Sequence, residues 1–378
     1  MPVVTESDVR SALARVTDPE IRKPITELGM VKSVALGADG SVDVGIYLTT
    51  AACPMKTEIS ERVRKAVADV EGVAEIRVEL DVMDDDQRTE LRKSLRGDSA
   101  EPVIPFAQPG SLTRVYAVAS GKGGVGKSSI TVNLAAAMAA KGLSVGVLDA
   151  DIYGHSVPRM LGTDARPTQV ERMIMPPVAH EVKMISIAQF TKGNTPVVWR
   201  GPMLHRALQQ FLADVFWGDL DILLLDLPPG TGDVAISVAQ LIPGAEILVV
   251  TTPQQAAAEV AERAGAIALQ TRQRVVGVVE NMSWLELPDG TRMDVFGTGG
   301  GQAVAERLTT AVGAKVPLLG QVPLDTAVRE GGDSGVPIVL SAPETPAAKA
   351  MIEVAEKLSV RSRGLAGMSL GIDTTRHL

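Results

Sequence analysis

Over residues 113–360, short continuous apolar runs alternate with segments of helical periodicity. The runs occupy 115–119, 144–148, 222–225, 247–250 and 275–279. A strand that is apolar at consecutive positions is covered on both faces, as strands of a parallel sheet are. Alternation of such strands with helices predicts a doubly wound, mostly parallel α/β sheet. The first 83 residues follow another rhythm. After Ser7, the residues Val9, Leu13 and Val16 fall near helical spacing. Residues 42–48 alternate as a half-buried strand does, 58–70 read as a second helix, and 75–82 alternate again. This predicts a small α/β domain over residues 1–83. Residues 84–112 read as a linker. They are charged from Asp84 to Asp98, where a short helix fits part of the stretch, and are then broken by Pro102, Pro105, Pro109 and Gly110. Residues 361–378, rich in Gly, Ser, Thr and Arg, read as a disordered tail.

Composition narrows the partners. Of 378 residues, 45% are hydrophobic, enough for a sizeable core, and only 3% are aromatic, which argues against a surface that stacks bases. The net charge of −8 gives no bulk attraction to nucleic acid or anionic lipid, so a bound anion must sit in a local site. No apolar run approaches the ~18 residues of a membrane span. The first residues lack a basic region followed by an apolar one, as a secretory signal has. Cys53 is the single cysteine, so no intrachain disulfide forms, which suits a reducing, cytoplasmic compartment.

The densest chemistry follows the first apolar strand. Gly121-Lys-Gly-Gly-Val-Gly-Lys-Ser128 lies between that strand and a helical segment over 130–140. This is G-x-x-x-x-G-K-[ST] in its required strand–loop–helix context. Gly121, Gly123, Gly124, Val125 and Gly126 let backbone N–H groups converge on phosphate oxygens, and the helix N-terminus adds its positive end near Ser129. Lys127 is positioned for the β- and γ-phosphates and Ser128 for Mg²⁺. The second strand ends in Asp149-Ala-Asp151, at the rim where open α/β sheets bind ligands. Asp151 is the choice for orienting the attacking water and Asp149 for supporting Mg²⁺; the plain alternative is a capping or turn aspartate. The third strand ends in Asp226, a Walker B carboxylate by position, followed by Pro228-Pro-Gly-Thr-Gly-Asp233, a switch loop or a plain connection. Asn281, after the strand at 275–279, has an amide able to pair with an adenine edge or to cap a strand end. His155, His180 and His205 show no metal-ligand spacing.

Several strings together resemble the Mrp/ApbC family of iron–sulfur cluster carrier ATPases, which have the deviant Walker-A loop of the MinD class. They are Ala119-Ser-Gly-Lys-Gly-Gly-Val-Gly-Lys-Ser128, Asp149-Ala-Asp-Ile-Tyr-Gly-His-Ser-Val-Pro158, Trp199-Arg-Gly-Pro-Met203, Asp226-Leu-Pro-Pro-Gly-Thr-Gly-Asp233, Val279-Glu-Asn-Met-Ser283 and Phe296-Gly-Thr-Gly-Gly-Gly301. The resemblance spans about residues 113–355. It implies ATP hydrolysis, a homodimer in which Lys122 reaches the facing subunit's nucleotide, an adenine contact at Asn281, and delivery of Fe–S clusters to apoproteins. Residues 1–83 resemble the metal–sulfur cluster assembly domain often fused to this family, through Asp18-Pro-Glu-Ile21 and Leu48-Thr-Thr-Ala-Ala-Cys-Pro54. Cys53 falls on that domain's cysteine position, as a cluster ligand or as a small buried hydrophobe. The family's usual Cys-x-x-Cys after Asn-Met-Ser is absent: the chain reads Trp284-Leu-Glu-Leu-Pro-Asp-Gly-Thr-Arg-Met-Asp294. Carboxylates such as Glu286 and Asp289 are hard ligands and poor substitutes for thiolate.

Four functions compete. The resemblance favours an ATP-driven Fe–S carrier with altered cluster ligands, working with apoprotein clients and Fe–S assembly proteins. A nucleotide-switched dimeric scaffold without a cluster stands beside it. A partitioning ATPase needs a basic surface or a membrane helix that residues 361–378 do not supply. A P-loop kinase or synthetase does not account for Lys122.

Overall fold

The computed structural model describes residues 4–37, 39–49, 55–96, 103–151, 154, 156–170, 173–190, 201–230, 232–254 and 257–360. Cys53 and the tail 361–378 lie outside the described residues. The chain begins α1 (Glu6–Leu13), β1 (Val31–Leu36), β2 (Ser41–Leu48), α2 (Lys56–Ala68), β3 (Glu75–Val82) and α3 (Asp85–Arg96). It continues β4 (Arg114–Ala119), α4 (Lys127–Ala140), β5 (Val145–Asp149), α5 (Val157–Met160), β6 (Thr168–Val170), β7 (Met173–Met175), β8 (Val178–Ala179) and β9 (Val182–Ser186). Then come α6 (Gly201–Ala213), β10 (Ile222–Asp226), α7 (Asp233–Leu241), β11 (Glu246–Thr251), α8 (Ala257–Thr271), β12 (Val275–Glu286) and β13 (Arg292–Met293). The described chain closes with α9 (Gly300–Val312), β14 (Leu318–Leu324), α10 (Thr326–Ser334), α11 (Ile338–Ser341) and α12 (Pro346–Ser359).

The large sheet has nine strands among the described residues, ordered β13-β12-β11-β4-β10-β5-β9-β8, with β14 also on β12. All pairings are parallel except those of the short edge strands β8 and β13. Helices α6 to α9 pack one face and α4, α5, α11 and α12 the other, each over its own apolar core. The five apolar runs of the sequence are thus β4, β5, β10, β11 and the first half of β12. Two further strands of this sheet escaped the pattern because polar or turn-forming residues interrupt them. Lys183 sits inside β9, and Gly320, Gln321 and Pro323 break up β14.

The N-terminal sheet, β1-β2-β3, carries α1 and α2 on one face. Thr5 caps α1 in a capping box: its hydroxyl accepts the Asp8 N–H at 3.2 Å, and the Asp8 carboxylate accepts the Thr5 N–H at 3.2 Å. β1 was not legible because most of its side chains are exposed. The expected linker begins with the twelve-residue helix α3, whose Leu91 joins the N-terminal core. That core continues into the large domain through Val170, Met173 and Met175 of the β6–β7 hairpin and Phe216.

Candidate functional site

The register of the central strands builds the site. In the parallel ladder Asp226 at the end of β10 lies opposite Val118 of β4 on one side and Asp149 of β5 on the other. Both carboxylates therefore emerge at the carboxyl edge beside the loop that leaves β4. The loop turns into α4 through Gly124 and Gly126, at φ 77° and 78°. Gly126 is required for two reasons: the left-handed backbone suits glycine, and a Cβ there would fall 2.2 Å from Asn281 Nδ2.

At the first turn of α4, buried Lys127 donates from Nζ to Asp226 Oδ1 at 2.6 Å. Ser128 Oγ donates to Asp226 Oδ2 at 2.6 Å, and Thr131 Oγ1 to Oδ1 at 2.9 Å. Asp226 is wholly buried and held by these three donors. Asp149, also buried, accepts the Ser186 hydroxyl at 3.0 Å and the Asp151 N–H at 3.2 Å. Burial first, and the neighbouring Asp226 charge second, push its carboxyl up to about 7. Two buried carboxylates and a hydroxyl, served by one lysine, suit Mg²⁺, which is usually bound through one or two carboxylates, waters and phosphates. Among the described residues no group of three or more His, Cys, Asp or Glu is placed to hold a metal.

Asp151 accepts the Gly154 N–H at 3.0 Å, the turn geometry that was the plain alternative for this residue. Lys122 donates from Nζ to Gln254 Oε1 of its own chain. The Gly230 N–H of the Pro-Gly loop donates to Ser120 O at 2.8 Å, so this loop is tied to the entry of the phosphate loop. Asn281 donates from Nδ2 to Val125 O at 2.9 Å and lines a cavity of about 310 Å³ beside Gly126 and Ser129. Met282, Leu324, Val328 and Arg159 are among its other walls. Thr131, Ser186, Gln254 and this far wall were missed in the sequence. Pro323-Leu-Asp325, at the carboxyl end of β14, was the available signal for the wall.

The segment in place of a cysteine pair forms a short hairpin. Leu285 and Glu286 pair with Met293 and Arg292, and the Arg292 guanidinium lies 4.2 Å from the Trp284 ring centroid.

Residues 111–359 match the profile of the family described as "NUBPL iron-transfer P-loop NTPase". The chain belongs to this family. Residues 6–79 match a second profile, "Iron-sulfur cluster assembly protein". Over 369 residues the chain is 76% identical to the iron-sulfur cluster carrier protein of Mycobacterium tuberculosis, covering 98% of this chain and 97% of that one. It is 41% identical over 366 residues to the protein of the same description from Synechocystis sp., covering 94% and 98%. A nucleotide-binding protein from Archaeoglobus fulgidus, solved in complex with ADP, is 35% identical with a TM-score of 0.50, over 59% of this chain and 86% of that one. The matched segment 111–359 contains the phosphate loop, the Asp149–Asp226 pair and the residues of the Asn281 cavity.

Proposed function

We propose that this chain is a cytoplasmic, homodimeric ATPase that carries Fe–S clusters as cargo to apoproteins, in exchange with Fe–S assembly proteins. The observation that carries the nucleotide half is the Lys127–Asp226–Ser128 cluster at the mouth of the phosphate loop, beside the Asn281 cavity. The carrier half rests on likeness along nearly the whole chain to proteins described as iron-sulfur cluster carriers.

In this reading ATP lays its base against Asn281 and its phosphates along residues 121–129. Lys127 leaves Asp226 for the β- and γ-phosphates, exchanging one anionic partner for another. Ser128, Asp226 and Asp149 hold Mg²⁺, which when bound neutralises phosphate charge. Asp151 orients the attacking water. Lys122, held by Gln254 in the single chain, reaches the facing subunit's nucleotide in the dimer.

The cluster is cargo with a sparse donor set. The hairpin at 284–293 offers an indole, a guanidinium and carboxylates, and no thiolate. Cys53 supplies one thiolate per subunit, so other thiols must complete a four-iron cluster. The same sparseness favours the second reading, a nucleotide-switched scaffold that carries no cluster. Anaerobic reconstitution with iron, sulfide and added thiol decides between them. The carrier reading expects a labile, oxygen-sensitive chromophore in the parent and none in Cys53→Ser, with ATPase activity little changed. Stable loading of Cys53→Ser refutes that ligand, and an iron-free parent moves the assignment to the scaffold.

A further inference from the structure

Five non-glycine residues among those described have positive φ: Arg22, His180, Glu181, Arg272 and Met282. Three of them meet at one point between the domains. The two-residue turn joining β8 to β9 is His180-Glu181, at φ 48° and 62°. These signs match the two left-handed positions of a type I′ hairpin, which Asn-Gly fills at least cost. Backbone strain of this kind persists only where surroundings enforce it. Here each residue is held from outside.

Arg22, itself at φ 60°, donates from Nη2 to Glu181 O at 2.6 Å and to the Glu181 carboxylate at 3.2 Å. Just ahead of it in the same loop, Asp18 and Glu20 are buried near Lys183 of β9. On the other side, His180 Nε2 lies 2.9 Å from Gly335 O. A carbonyl only accepts, so Nε2 carries the proton. Gly335 caps α10 at φ 75°, and a Cβ there would fall 2.2 Å from Gly162 Cα, so its backbone is wedged against the residues that end α5. Helix α5 gives Arg159 and Met160 to the Asn281 cavity, and α10 gives Val328, Arg329 and Asp333. One strained turn therefore grips the N-terminal domain through Glu181 and the cavity wall through His180.

We infer that the His180-Glu181 turn couples occupancy of the Asn281 cavity to docking of the N-terminal domain, so that nucleotide state sets how tightly residues 16–25 are held. The inference rests on reading the cavity as the nucleotide site. A ligand that draws α5 and α10 together moves Gly335, and His180 passes that movement to the turn on which Arg22 rests. Coupling of this kind is reciprocal: docking of the N-terminal domain strengthens nucleotide binding by the same factor.

Hydrogen exchange on the full chain, with and without saturating Mg·ADP, tests it. In the parent, ADP slows exchange over residues 16–25 by about fivefold or more. His180→Gly keeps a left-handed turn at lower strain but lacks the imidazole. It retains ADP binding, weakened by no more than the parent's slowing factor, and shows no slowing over 16–25. Arg22→Ala exchanges fast there with or without ADP. Full slowing in His180→Gly, or no slowing in a parent shown by titration to bind ADP, overturns the coupling. An affinity loss in His180→Gly larger than the slowing factor places His180 in the binding site itself and overturns it too. A parent that binds no ADP sinks the nucleotide-site reading and the coupling with it.

Discussion

A few side chains settle the electrostatics of the phosphate loop. Lys127 is the nearest cation to two buried carboxylates, and Asp226 takes its charge directly at 2.6 Å. Removing one partner of a buried pair leaves an uncompensated charge, which costs about 3 kcal/mol or more. Lys127→Ala is therefore expected to lose Mg·ADP binding and also to melt several degrees lower without nucleotide. Asp226→Asn added to Lys127→Ala removes the stranded charge and keeps the shape. The double variant should recover most of the melting temperature and none of the nucleotide binding. Thermal melts beside ADP titrations read both. Equal melting of the single and double variants would show that the pair is not what stabilises the loop.

Among the elements, the deviant loop differs from an ordinary phosphate loop in Lys122. In the single chain Lys122 reaches Gln254, in the bend that follows β11. Gln254 is neutral, so this hydrogen bond is not an ion pair. Lys122→Ala should therefore bind ATP as well as the parent, because Lys127 and the loop N–H groups remain. It should fail to form the closed ATP dimer. Light scattering with Mg·ATP, in an Asp151→Asn background to slow turnover, measures this. An unchanged dimer fraction removes the in-trans role. The hairpin at 284–293 belongs to this scale too: with Arg292 over Trp284 it is a folded element in its own right.

For the whole molecule, the interface between domains buries charge. Glu20 is pushed up to about 7, by burial first and by neighbouring Asp18 second. Lys183 is pushed down to about 8, by burial first and by Arg22 second. In the folded chain Glu20 holds its proton to higher pH than the 4.5 usual for a glutamate. Its contribution to stability is then fully present below 4.5 and is lost as pH rises through about 7. Lys183 acts in the opposite sense: the folded state binds fewer protons from about 8 to 10.5, so stability is regained there. Glu20→Gln removes the first effect. Its melting temperature relative to the parent should climb between pH 4.5 and 7 and then level off. A difference that stays flat across that window would place the Glu20 carboxyl in water rather than in the interface.

Much of the large sheet was legible because its physics is local. Strands covered on both faces must be apolar at consecutive positions, and glycines with a lysine and serine between strand and helix leave few other structures. Hence β4, β5, β10 and β11, the phosphate loop and the aspartates at strand ends could be read directly. Strands that carry a polar duty could not. β9 holds Lys183 for the domain interface, β14 ends in the Pro-Leu-Asp of the cavity wall, and α3 offers Leu91 and Leu95 as its only aliphatic residues. Nor could the partners be read. That Asp226 faces Asp149 follows from the order β4-β10-β5, and order is a property of the whole sheet. That Asn281 meets residues 125 and 126, that Lys122 meets Gln254, and that Arg22 meets Glu181 across 159 positions are long-range contacts. The sequence by itself determined which chemistry the chain carries and that it sits at strand ends. Only the tertiary structure decided which groups meet, because a buried charge or a strained turn is tolerated only where distant residues close around it.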